Sequence, residues 1–180
     1  MVNGELTIEE ILNGTQLNPI RPSTETQNFN FIHWFHDKDK DTVYDKNEET
    51  PYSTEELLNI VPTETMIIQA NYEPETRLYN ISFHDDENNN IFNDGMEHNN
   101  NIYDHFATNP NFFYVYKDDS NLEDHECYTF KGWQNESQVG TDNYLSAEDK
   151  DAWENEKSND SKVYRAYFVK EDARAAKMSS

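Results

Sequence analysis

Apolar residues come along this chain in short bursts with long polar stretches between them, the pattern of strands joined by loops. Phe29, Phe31 and His33 alternate with Asn30, Ile32 and Trp34, which predicts a strand covered on both faces. Met66 to Tyr72, Leu78 to Phe83, Phe112 to Tyr116, Tyr128 to Trp133 and Lys162 to Val169 read as further strands, rich in β-branched and aromatic side chains. Caps predict three short helices. Thr7 with Glu10, Ser53 with Glu56 and Ser146 with Asp149 each set a hydroxyl three residues before an acid. That spacing lets the two side chains satisfy free backbone N–H groups of a first helical turn. Gly14 closes the first helix, Pro62 the second, and the third runs through Ala147–Lys157. The Asn- and Asp-rich stretch 84–101 is expected to be a long loop with a turn at Asp94-Gly95.

The expected class is α+β and β-rich: two tandem, diverged modules with short helices and long polar loops. Residues 1–28 read as the N-terminal capped helix and an extended linker holding Pro19 and Pro22. Residues 29–75 form an incomplete first module, 76–169 a second, complete one, and 170–180 a polar tail.

Composition changes this picture in one respect. Hydrophobic residues make up only 34% of the 180-residue chain, a share that by itself leans toward disorder. Against it stand 11 Tyr, 10 Phe and 3 Trp, which bury much area from few positions. Small cores built largely of aromatic residues are therefore expected, modestly stable alone. The net charge is −22. So acidic a surface repels phosphate backbones and anionic membranes, so neither nucleic acid nor membrane is expected as a partner. It suits cation binding or a basic partner protein. The single Cys127 excludes an internal disulfide and a multi-cysteine zinc site. No apolar run approaches the ~20 residues of a membrane span. The opening MVNGELTIEE has no basic stretch leading into an apolar one, so any export is expected to use another route than a signal of its own.

The most informative feature is internal similarity. Phe31-Ile-His-Trp34 is followed by a polar loop, a capped helix and Ile68-Gln-Ala70-Asn-Tyr72. Phe130-Lys-Gly-Trp133 is followed by the same series and Tyr164-Arg-Ala166-Tyr-Phe168. In a regular strand Phe130 and Trp133 would face opposite ways. A bulge at Gly132 would bring them onto one face, and a glycine there spares the neighbouring strand a β-carbon. Trp34 and Trp133 are then core residues rather than ligand contacts. Tyr128-Thr-Phe130-Lys-Gly132-Trp133, with its closing aromatic strand, resembles the Listeria–Bacteroides repeat family, the internalin-type B repeat. The resemblance covers about residues 77–169 well and 15–73 poorly. In the first copy His33 replaces the glycine, and no strand pair precedes the linker. It implies small ubiquitin-like β-grasp modules, as on bacterial surface proteins and in some phage structural proteins, with no catalytic residues to carry over.

One constellation points to chemistry. Counting Asp37 as the first position, Asp39, Asp41, Asp45 and Glu48 fall third, fifth, ninth and twelfth, with the Val43 carbonyl seventh. That is the ligand spacing of a calcium loop, in which oxygen ligands at alternate positions wrap one cation. Thr42 stands where such a loop has glycine, and the segment before it reads as strand rather than helix. The other reading is a solvated acidic loop. The histidines make no metal-ligand pair: His33 and His36 would face opposite ways in a strand. The acidic clusters at 85–87 and 118–119 read as turns. The chain carries no nucleophile-elbow, phosphate-loop or dinucleotide motif.

These features favour a non-enzymatic structural protein of a phage virion: a capsid decoration, head fibre or tail-associated component, without a cofactor unless the loop binds calcium. Its partners would be other structural subunits in an oligomeric assembly. The alternative is an extracellular bacterial surface adhesion module that binds a host protein or glycan. Because the first copy lacks an opening strand pair, residues 1–75 are expected to complete their fold against a partner chain.

Overall fold

The structure, a computed structural model, describes residues 5–6 by their backbone and residues 19–174 in full. It is an α+β, β-rich protein that divides into two compact units, Met1–Arg77 and Leu78–Ser180. The predicted helix beginning at Thr7 lies outside the described residues, as do residues 175–180 of the tail.

The first unit is a four-stranded antiparallel sheet. Its strands are β1 (Glu5–Leu6), β2 (Gln27–His36), β3 (Pro51–Tyr52) and β4 (Ile68–Thr76), in the order β1-β4-β2-β3. A short helix, α1 (Thr54–Leu58), follows β3. Both halves of its capping box form: Ser53 Oγ accepts from the Glu56 N–H, and Glu56 Oε1 accepts from the Ser53 N–H. The helix stops at Asn59, before Pro62. Among the described residues its core is Trp34, Leu57 and Ile68, with Phe31, Tyr52, Ile60, Met66 and Ala70 packed against them.

The second unit is a five-stranded mixed sheet. Its strands are β5 (Leu78–His84), β6 (Asn90–Glu97), β7 (Glu126–Gln134), β8 (Leu145–Ser146) and β9 (Lys162–Asp172), in the order β6-β5-β9-β7-β8. β5 and β9 run parallel at its centre. A short helix, α2 (Ile102–Phe106), and a 3-10 turn at Pro110–Phe112 lie between β6 and β7. Phe83 centres an aromatic core. It stacks on Phe92 and Tyr164, with centroids 4.6 and 5.1 Å away, and meets Phe106, Phe112 and Trp133 edge-on. Edge and offset contacts of this kind add to plain area burial. The Trp133 indole N–H donates to the Phe112 carbonyl and the Trp153 N–H to the Ser146 carbonyl, so neither buried donor is left unpaired.

Four expectations are corrected. The stretch 84–101 is not one long loop, because Asn90–Glu97 forms β6 and pairs with β5 from Leu78↔Glu97 to His84↔Asn90. Phe92 and Met96 turn into the core and hold the strand there. The tight connection is at Asp85–Asn89 instead. There the Asp85 carboxylate accepts from the N–H groups of Glu87 and Asn89, and Asn88 takes a positive φ of 72°. Phe112–Tyr116 is not a strand: Phe112 ends a 3-10 turn and points into the core, and an irregular segment follows. The helix expected through Ala147–Lys157 is a single 3-10 turn, Lys150–Trp153. Asp149 caps it by accepting from the Asp151 N–H, and burial of Trp153 fixes its position. The strand β9 also takes in residues 170–172, read from the sequence as tail.

Candidate functional site

The repeated strand pair proves to be one structure built twice. β2 pairs with β4 through Phe31↔Tyr72, His33↔Asn71 and Trp34↔Ala70, with a bulge between Phe31 and His33. β7 pairs with β9 through Phe130↔Phe168, Gly132↔Tyr167 and Trp133↔Ala166, with its bulge between Phe130 and Gly132. Each bulge adds one residue and turns Phe and Trp to the same face. The ring centroids of Phe31–Trp34 and of Phe130–Trp133 are both 5.3 Å apart. Each Trp also faces a residue of a two-residue strand, Tyr52 in β3 or Leu145 in β8. Both indoles are buried and both Phe residues pack against the cores, so this motif is core.

Gly132 shows why the second copy needs its glycine. Its φ is +147°, and a β-carbon built there would stand 2.1 Å from the Leu145 carbonyl oxygen. His33 stands in the equivalent place, where β3 pairs with Trp34 and Phe35 but not with His33. The first copy therefore accepts a side chain that the second excludes.

The acidic segment after β2 behaves differently. Asp37 follows the last residue of β2, and its N–H donates to the Ile67 carbonyl at 2.8 Å. This ties it against the residue before β4 and buries its side chain to 2% exposure. The chain then curls through Lys40 and Thr42, at φ of 62° and 67°. A β-branched residue at positive φ is strained, and it sits where a calcium loop has glycine. The curl returns the chain so that Glu49 is also buried, at 6% exposure.

Of the six predicted ligands, the structure brings Asp37 and Asp39 together. It adds Glu49, which the spacing did not single out, and a carboxylate oxygen from each lies within 4.8 Å of the others. Glu48 is exposed and does not join them. Asp41 Oδ1 accepts from the Val43 N–H, and Asp45 Oδ1 from the Asn47 N–H. Both acids thus serve as turn residues, and Val43 is exposed. Glu49 accepts from the N–H groups of Lys38 and Asp45. Asp37 Oδ2 accepts from the Thr42 N–H at 3.1 Å and, at 3.5 Å, from the Gln69 amide. Asp37 Oδ1 is buried and has no hydrogen-bond partner among the described residues. No described lysine, arginine or histidine forms an ion pair with any of the three acids.

No family model matches the chain, and no curated protein and no solved structure matches it. Among the described residues no helix is long and apolar enough to cross a membrane.

Proposed function

We propose that this chain is a non-enzymatic structural protein of a phage virion, a capsid decoration, head fibre or tail-associated component that works in contact with other subunits. The duplicated strand pair carries the reading. Twice over, the residues that distinguish the chain, Phe, Trp and the bulge between them, are used to build a module rather than to line a cleft. Repetition of a self-contained module that presents polar loops is what assembly and display require, and the resemblance to repeats of surface and phage structural proteins rests on these same residues. The sheet order β6-β5-β9-β7-β8, with its central parallel pair and a helix after the first hairpin, supports a β-grasp assignment for the second unit.

The first unit is the attachment unit in this proposal. In the second unit β5 runs beside β9 over four registered positions. The matching edge of β4 is met by β1 at only Ile68 and Gln69 among the described residues. A strand from a partner subunit laid along β4 would extend that sheet. Mass spectrometry of purified particles from the source tests the proposal. The chain should be present in fixed ratio to the major coat protein, and its absence from washed particles would refute the virion assignment.

A further inference from the structure

We propose that Asp37, Asp39 and Glu49 bind a calcium ion that fastens the loop between β2 and β3, and that the second unit has no counterpart to this site. The inference stands apart from the virion reading, since it would hold in any assembly.

Two of the three carboxylates are buried, at 2% and 6% exposure, and they converge with the third without a neutralising side chain among the described residues. Converging buried charges are costly unless paired or coordinated to a metal. Backbone N–H groups hold both Glu49 oxygens and Asp37 Oδ2 in place. Asp37 Oδ1, on the same buried carboxylate, is left without a partner, as an oxygen reserved for a ligand would be. The donor set is all oxygen and anionic, which selects a hard cation. Asp39 lies on the solvent side, so water and carbonyl oxygens can fill the remaining places of a coordination shell. Calcium tolerates that irregular shell better than magnesium, which demands a near-ideal octahedron.

The second unit supplies an internal comparison. Aligning Trp34 with Trp133 sets Phe35 on Gln134 and Asp37 on Glu136. The loop after β7 closes through neutral amides. Gln134 Nε2 donates to the Thr141 and Asn143 carbonyls, and Asn135 Oδ1 accepts from Ser137 Oγ and the Gln138 N–H. The same junction is thus tied by amide hydrogen bonds in one copy and drawn together by carboxylates in the other. Only the second kind needs a cation.

The test is a calcium titration of the full chain, first stripped with a chelator, followed by amide chemical shifts and by calorimetry. Amides of residues 37–49 should move saturably with a dissociation constant between about 10⁻⁶ and 10⁻³ M, while those of residues 135–144 stay in place. Asp37→Asn and Glu49→Gln should each weaken binding at least tenfold. Glu48→Gln, which removes the same charge one residue away, should change it by less than about twofold. If the buried variants fail to fold, Asp39→Asn carries the test, because its side chain is exposed, and the same loss is expected. Residues 37–49 unmoved at millimolar calcium would overturn the site. So would equal weakening by Glu48→Gln and Glu49→Gln, which would mean diffuse attraction to a chain of net charge −22.

Discussion

At the scale of single residues, Gly132 and His33 show how far the two copies have diverged around a shared bulge. The Gly132 position combines positive φ with a backbone carbonyl where a β-carbon would go. Gly132→Ala should therefore cost at least the ~1–3 kcal/mol typical of such backbone strain, with the clash in addition, and denaturant unfolding would measure it. His33→Gly in the other copy relieves no clash; it should cost roughly 0.5–1 kcal/mol of added chain entropy together with the ring contact to Tyr44 and the hydrogen bond to Asn71. Equal and small effects at the two sites would mean that the bulges differ from those described. Trp133→Ala removes the fully buried indole that meets Phe83 and Phe130 and should cost about 3–5 kcal/mol. A melting temperature within a degree or two of the parent would contradict its place in the core. The sequence revealed these residues because aromatic spacing across a bulge leaves a pattern that polar loops cannot hide. It did not reveal Glu49. A twelve-position count assumes a loop geometry, whereas the curl at Lys40 and Thr42 decides which of two adjacent glutamates turns inward.

At the scale of elements, the capping box of α1 was legible because its two hydrogen bonds are local and belong to Ser53 and Glu56 alone. Ser53→Ala should lower stability by about 1 kcal/mol, measurable by chemical denaturation. No change would show that packing of Leu57, rather than its cap, holds the helix. The strands β2, β4, β5, β7 and β9 were legible for a similar reason, since β-branched and aromatic runs fit a pleated sheet. The strand β6 was not. Its Asn and Asp residues disfavour strands, and what overrides them is tertiary: Phe92 stacks on Phe83, and Met96 is buried. Phe92→Ala, at a half-buried position, should therefore cost about 1–3 kcal/mol, while Asn93→Thr, at an exposed position, should be neutral or slightly stabilising. Hydrogen exchange across Asn90–Glu97 would report both, and protection unchanged in Phe92→Ala would remove this explanation of the strand. The reverse case is Phe112–Tyr116, where an aromatic run looks like a strand but Pro110 and the Asn109 cap, accepting from the Asn111 N–H, set a 3-10 turn instead.

At the scale of the whole molecule, two units built on the same strand pair carry different tasks in the proposed function. The second has its own β5–β6 hairpin and a core that runs from Ile81 to Ala166. In the first, the edge of β4 is paired with β1 only at Ile68 and Gln69 among the described residues, and its loop brings the carboxylates of Asp37, Asp39 and Glu49 together. That an aromatic, acidic, β-rich protein would result was legible from composition and periodicity. The order of strands within each sheet was not, because pairing depends on contacts far apart in sequence. In the proposed function the chain attaches to its particle through the first unit. Cosedimentation of the purified chain with parent particles stripped of it reads this out, comparing the full chain with one lacking the first unit, residues 1–77. Saturable binding of the full chain is expected, with at least a tenfold loss for the truncated one, whose β5–β9 sheet stays folded by its amide shifts. Undiminished binding of the truncated chain, or no binding of the full chain, would contradict it.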